Sequence, residues 1–241
     1  MAVHVISPGP RTFRDRTEAG HSLAEHVRAL AGPGCVVLAI PRGGVVVGAA
    51  LAADLDCDLD VVIVRKLGAP HNPELAIGSV MEGAESPYLN SGIVRALGVP
   101  QSYIEAETRR QQAEARRRAE LYRKDRPKVE IEGRVAVLTD DGVATGATMI
   151  SSILGVQAAR PAKTIVALPV GPPETVDEIG EMADEVVCLA TPALFGAVGQ
   201  FYVDFAQTTD EEVVELLQQF DQAVRRRPAA GRRPATGRRH G

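Results

Sequence analysis

Short runs of β-branched and aliphatic residues alternate along the chain with longer stretches of mixed polarity. Cys35–Ile40, Asp60–Val64, Arg134–Leu138, Lys163–Leu168 and Glu185–Leu189 carry almost no polar alternation, the pattern of strands buried on both faces. Between and after them, helical spacing and start signals predict helices over 15–31 (Asp15 as cap, Glu18 three residues on), 44–54, 102–124 (Ser102 with Glu105), 146–158, 173–182 and 209–224 (Thr209 with Glu212). Strand–helix alternation of this kind predicts an α/β, doubly wound fold: a mainly parallel five-stranded sheet with helices on both faces. There is no internal repeat and no interior linker, so residues 1–224 are expected to form one domain.

Composition alters this picture in one respect. Hydrophobic residues make up 45% of the 241 residues but aromatics only 4%, with no Trp, so Val, Leu and Ala must build the interior. Cys35, Cys57 and Cys188 are scattered with no CxxC pair, which argues against a disulfide framework or a thiolate zinc site and fits a reducing compartment. No apolar run is long enough to span a membrane and the N-terminus lacks the layout of a secretory signal, so a soluble, cytoplasmic protein is expected.

The net charge of −4 conceals an asymmetry, because residues 225–241 hold seven arginines and no acid. With Pro228, Gly231, Pro234 and Gly237 among the arginines, this tail cannot bury enough apolar surface to offset ordering entropy, and it is expected to be disordered. It is also the one segment suited to contact nucleic acid. Helix 102–124 is rich in charge of both signs (Arg109, Arg110, Arg116, Arg117 and Arg118 against Glu105, Glu107, Glu114 and Glu120), which predicts a solvated helix laced with ion pairs, with a subunit contact as the alternative. Mixed sign without aromatics argues against a nucleic-acid groove there.

The segment richest in chemistry runs from Val135 to Thr148: a strand, the carboxylates Asp140 and Asp141 at its C-terminal end, then Gly142-Val143-Ala144-Thr145-Gly146-Ala147-Thr148 leading into a helix. Open α/β sheets bind ligands at the carboxyl ends of their strands, and a small-residue turn lets backbone N–H groups and a helix N-terminus surround a phosphate. Two acids beside that cradle would repel the phosphate unless they faced another part of the ligand, and a cis-diol is the natural match. A ribose 5-phosphate unit satisfies both halves. The segment has neither the P-loop pattern nor the GxGxxG of a dinucleotide fold.

Residues 135–148 resemble the 5-phosphoribosyl 1-pyrophosphate (PRPP) signature of type I phosphoribosyltransferases, departing from it at Gly142, where the family usually has an aliphatic residue or Ser. The resemblance implies that Asp140 and Asp141 bind the ribose hydroxyls, directly or through Mg²⁺, and that Val143, Ala144, Thr145, Gly146, Ala147 and Thr148 hold the 5-phosphate. It implies further that Pro41-Arg42-Gly43-Gly44, after the first strand, is the pyrophosphate loop, in which a non-proline peptide is often cis and backbone N–H groups turn towards the diphosphate; Arg42 would add charge. Arg65 and Lys66 resemble the Arg-Lys pair that some members place on pyrophosphate. The segment 67–90, with His71, Asn72, Pro73 and Gly78, matches the position of the family's mobile catalytic loop.

The aromatics Phe195, Phe201, Tyr202 and Phe205 follow the last strand. They read either as packing under the C-terminal helix or, as the family's small hood, as a stacking platform for a flat base, with Phe195 the candidate contact. Leu168, Pro169 and Val170 stand where 6-oxopurine enzymes carry a base-reading Lys, so purine specificity is not implied. The expected activity is transfer of the phosphoribosyl group from PRPP to a nitrogen acceptor, such as a nucleobase, in a Mg²⁺-dependent homodimeric enzyme of nucleotide metabolism. Asp140, Asp141, Arg65 and Lys66 would carry the catalysis. The alternative is a regulatory protein that keeps the pocket as a sensor and binds nucleic acid or a protein partner.

Overall fold

The computed structural model describes residues 1–84, 86–124 and 126–226. In chain order the elements are β1 (Ala2–Ser7), α1 (Arg16–Ala31), β2 (Val36–Ala39), α2 (Gly43–Leu55), β3 (Asp58–Val61), β4 (Val64–Ala69), β5 (Asn72–Met81), β6 (Tyr88–Leu89), α3 (Ser91–Ala96), α4 (Gln101–Arg123), β7 (Val135–Thr139), α5 (Ala147–Ala158), β8 (Lys163–Val170), α6 (Pro173–Gly180), β9 (Glu185–Ala190) and α7 (Asp210–Arg226). A 3₁₀ turn, Val198–Phe201, precedes α7.

Six strands form the central sheet in the order β1-β9-β8-β7-β2-β3, and every neighbouring pair is parallel. The five predicted strands are all present, with the second displaced to Asp58–Val61. The sixth, β1, corrects the strand count: it lies at the sheet edge with Val3, Val5 and Ile6 partly exposed, so it lacks the buried run that marks the interior strands. Alternate residues divide the core between two faces. Val37, Ala39, Val137, Ile165 and Val187 pack under α1, α2 and α7, whereas Val36, Leu38, Leu138, Val166 and Leu168 pack under α5 and α6. Full burial of a Val, Leu or Ile contributes about 1.5–3 kcal/mol, so this aliphatic interior suffices without Trp.

The segment at the position of the family's mobile loop forms, with the start of β4, a second sheet, β4-β5-β6, antiparallel throughout. Gly68, Pro70, Pro73 and Gly78 read as breakers in the sequence, but the β4–β5 pairing takes up the first part of the run with register shifts at Leu67/Gly68 and Gly68/Ala69. Leu67, Ile77 and Val80 bury their side chains with Val99 and with Ile104 of α4 in a separate core.

α4 begins at Gln101 with Pro100, not Ser102, in the cap position. Thr209 and Glu212 form the expected reciprocal cap of α7, at 3.1 and 2.7 Å. That helix extends through Arg226, two residues into the segment expected as a tail. The rest of the predicted tail, 227–241, lies outside the described residues. Cys35, Cys57 and Cys188 are free and buried, and the fold brings Cys35 and Cys57 within hydrogen-bonding reach of each other, which their sequence separation conceals. Among the described residues no helix is long and apolar enough to cross a membrane.

Candidate active site

The sheet order reverses between β2 and β7. From β2 the chain passes through α2 to β3 on one side, while β7, β8 and β9 step away on the other. Parallel sheets open a crevice at such a switch point, outside the carboxyl ends of the two strands. Here β2 delivers Pro41-Arg42-Gly43-Gly44 and β7 delivers Asp140-Asp141.

The two turns touch. A Cβ on Gly44 would lie 2.8 Å from the Asp140 Cα and 3.1 Å from the Thr139 carbonyl oxygen. A Cβ on Gly43 would collide with Asp141 Oδ2 and sit 2.8 Å from Arg16 Nε. Both glycines are therefore required by close approach, since no side chain fits between the two strand ends. The Pro41–Arg42 peptide is cis, as the family resemblance implied for this loop. Arg42 is the N-cap residue of α2.

Asp140 Oδ1 accepts a hydrogen bond from the Asp141 backbone N–H at 2.8 Å. Burial and the neighbouring Asp141 push the Asp140 carboxyl well above the usual carboxylate range. Asp141 has a different environment: Arg16 Nε donates to its Oδ2 at 2.8 Å, and the Tyr202 hydroxyl donates to its backbone carbonyl at 2.6 Å. Burial and the Asp141 charge raise the Tyr202 phenol too, keeping it a donor.

Arg16 is the residue that sequence reasoning missed. Asp15 caps α1 by accepting from the Glu18 N–H at 2.8 Å, and Arg16 is the next residue, the first of the helix. Its Nη1 donates to the Ala206 carbonyl at 2.8 Å and its guanidinium lies 3.9 Å from the centre of the Phe205 ring. The available signal was its place beside a strong cap, but nothing in the sequence relates it to Asp141. The hood is thus assembled from both ends of the domain: Phe13 and Tyr202 form a parallel bridge, with Phe13 N–H donating to the Phe201 carbonyl and Val203 N–H to the Phe13 carbonyl, each at 2.8 Å. Phe205 stacks on Tyr202 and Phe195 on Phe201, with ring centroids 5.1 and 5.3 Å apart. Phe195 keeps partial exposure.

The loop after the acids divides into a support and a cradle. Gly142, at φ +156°, fits beneath Val170 and Val198, whose methyls would lie 3.0 and 2.7 Å from a Cβ there; a larger residue is excluded, which accounts for the departure from the family pattern. Val143 is buried and its N–H is spent on the Val170 carbonyl at 3.0 Å, so it supports the loop and offers no amide to a ligand. Ala144, Thr145, Ala147 and Thr148 are exposed, and Gly146 is left-handed at φ +71° at the start of α5. Among the described residues no acceptor takes the N–H groups of 144–148, which leaves a run of amide donors at a helix N-terminus. Thr175 of α6, a second residue absent from the sequence reading, ties the loop down by donating to the Ala144 carbonyl at 2.9 Å.

Arg65 and Lys66 stand on β4, outside the central sheet. Arg65 Nε donates to Gln111 of α4 at 3.1 Å, so this side chain turns towards the helix. His71 occupies the exposed β4–β5 turn at φ +63°. Asp140 and Asp141 are the candidate metal ligands; among the described residues no group of three or more His, Cys, Asp or Glu side chains gathers at one point. Mg²⁺ is commonly held by one or two carboxylates with substrate oxygens and water completing its shell, and an adjacent Asp pair fits that mode.

A family model described as a phosphoribosyl transferase domain matches residues 17–206. A protein of Mycobacterium tuberculosis strain H37Rv, named "Putative phosphoribosyl transferase", is 45% identical over 209 residues, 87% of this chain and 47% of that protein. The crystal structure of TT1426 from Thermus thermophilus is 47% identical, superposes with a TM-score of 0.80, and is covered to 99% by 87% of this chain. The chain belongs to the phosphoribosyl transferase domain family. It spans about half the length of the curated relatives it matches.

Proposed function

We propose that this chain transfers the 5-phosphoribosyl group of PRPP to a nitrogen acceptor with release of pyrophosphate. The observation that carries the reading is the contact between the Gly43-Gly44 turn and the Asp140-Asp141 pair at the switch point, continuous with the free amides of 144–148. A diphosphate, a diol and a 5-phosphate each find a complementary surface in the order in which PRPP carries them around one ribose.

Displacement at C1 of PRPP develops positive charge on the ring and negative charge on the departing pyrophosphate, so no protein nucleophile is needed. The amides of 144–148 hold the 5-phosphate, and the carboxylates of Asp140 and Asp141 accept from the ribose hydroxyls, fixing the ring. Asp141 stays oriented by Arg16, and both acids lie where they favour a cationic ring. Arg42 and the backbone of the Gly43-Gly44 turn face the leaving group, with Arg65 and Lys66 as further cations on β4. Mg²⁺ held by Asp140 and Asp141 would supply charge neutralisation to PRPP. The partly exposed Phe195 is the candidate face for a flat acceptor.

Incubation with PRPP, Mg²⁺ and a panel of nucleobases and amines, with pyrophosphate as readout, tests the reading. Acceptor-dependent pyrophosphate release is expected. Tight PRPP binding without release under any acceptor would favour a sensor that keeps the fold.

A further inference from the structure

A second cleft, of about 440 Å³, opens between β4 and α4, and of its lining residues only Arg65 also enters the transferase reading. It is lined by Arg65, Arg110, Gln111, Ala113, Glu114 and Arg117. Three guanidinium groups from two elements converge here in a protein whose net charge is −4. Arg110 and Arg117 lie two turns apart on one face of α4.

The carboxylates nearby act as braces. Glu107 accepts from Nε and Nη2 of Arg110, both at 2.8 Å, and Glu114 accepts from Nε and Nη2 of Arg117 at 2.9 and 2.8 Å. Each bidentate pair fixes its guanidinium plane and leaves Nη1 without a protein acceptor among the described residues. Arg65 spends Nε on Gln111, which in turn donates to Glu107 at 2.9 Å, and among the described residues both terminal nitrogens of Arg65 remain without an acceptor. Glu114 is no free anion in the cleft, since Arg118 also donates to it at 3.1 Å. The hydrogen bonds of Arg117 and Arg118 hold its carboxyl down to about 2, so it stays ionised and keeps its grip on Arg117. No aromatic side chain lines the cleft.

Planar guanidinium forks with spare N–H donors match phosphate oxygens, and several forks along one cleft match several phosphates in a row. We propose that the Arg65–Arg110–Arg117 cleft binds a polyphosphate chain, the chemistry shared by inorganic polyphosphates and nucleoside polyphosphates. The site goes beyond the transferase reading: it shares Arg65 with it, but its two other guanidiniums, Arg110 and Arg117, take no part in that reading, and it does not depend on it. Without an aromatic wall it has no means of holding a base, so affinity should follow the number of phosphates.

The test is calorimetric titration of the full chain at low salt with pyrophosphate, tripolyphosphate, ATP and ribose 5-phosphate. Arg110→Gln with Arg117→Gln should weaken tripolyphosphate about tenfold or more, as expected for lost charged hydrogen bonds, and leave ribose 5-phosphate unchanged. Arg109→Gln with Arg116→Gln removes the same charge from exposed positions outside the cleft and should leave tripolyphosphate within about twofold. All four arginines are exposed, so the variants are expected to fold. Equal losses in the two pairs, no loss in the first, or parallel weakening of ribose 5-phosphate would each overturn the site. ATP binding much tighter than tripolyphosphate would overturn the absence of base recognition. Failure of ribose 5-phosphate to bind the unmodified chain would sink the transferase reading and leave this one standing.

Discussion

Arg16 and Asp141 are 125 residues apart in sequence and meet at 2.8 Å, in the space that the missing side chain of Gly43 leaves open. Both side chains are largely buried, at 10% and 16% exposure, so the pair is a consequence of the fold and not a surface ion pair. Removal of one partner from such a pair leaves an uncompensated charge, which typically costs about 3–5 kcal/mol. Arg16→Met is expected to destabilise the chain by about 3 kcal/mol in urea unfolding, and the double variant Arg16→Met with Asp141→Asn to recover part of that loss. Additive losses in the cycle would show that Arg16 acts through Phe205 and Ala206 alone.

Gly43→Ala places a methyl group against Asp141 Oδ2 and Arg16 Nε. It should therefore disturb the diol acid as well as the pyrophosphate turn. Affinities for pyrophosphate and ribose 5-phosphate are both expected to fall, by on the order of 1–3 kcal/mol each. A loss confined to pyrophosphate would mean that Asp141 does not bind the ribose.

Asp140 carries a conflict between stability and function. Its carboxyl titrates above its unfolded value because burial and Asp141 oppose the charge. The folded state therefore binds a proton more tightly than the unfolded state, and this site's contribution to stability is fully present below the unfolded pKa and lost as pH rises through the folded one. Asp140→Asn keeps an oxygen for the Asp141 N–H but has no charge to bury. Its melting temperature is expected to exceed that of the unmodified chain at neutral pH, with the difference shrinking on acidification, while ribose 5-phosphate binding weakens by roughly 1–3 kcal/mol. A lower melting temperature at neutral pH would contradict this account of the carboxyl.

Thr175→Val removes the single side-chain bond between α6 and the Ala144 carbonyl at little change in volume. The amides of 144–148 then lose a brace, and ribose 5-phosphate affinity should drop by about 1 kcal/mol while ribose without the phosphate is unaffected. Equal weakening of both sugars would place the effect outside the phosphate cradle.

The alternation of Val-rich runs with helical stretches was enough to place the four interior strands, the edge strand β3 and most helices of the central sheet, because strands buried on both faces carry a continuous apolar signature. The acids at the end of β7 and the glycine turn after β2 were legible for a similar local reason: each motif is contiguous, and strand ends are where α/β sheets bind ligands. The edge strand β1 was not, since a strand with one partner and exposed Val3, Val5 and Ile6 has no buried run to betray it. Nor was the antiparallel β4-β5-β6 sheet, whose glycines and prolines imitate a loop until cross-strand pairing and the Leu67–Ile77 core select a structure. What the sequence by itself determined was therefore the set of local motifs, through short-range periodicity and turn chemistry. Only tertiary structure decided which distant groups share a space: Arg16 with Asp141, Tyr202 with the Asp141 backbone, Arg65 with Gln111 of α4. Those pairings depend on the crossover geometry of the sheet and on glycines that admit close approach, and neither leaves a trace in the spacing of residues along the chain.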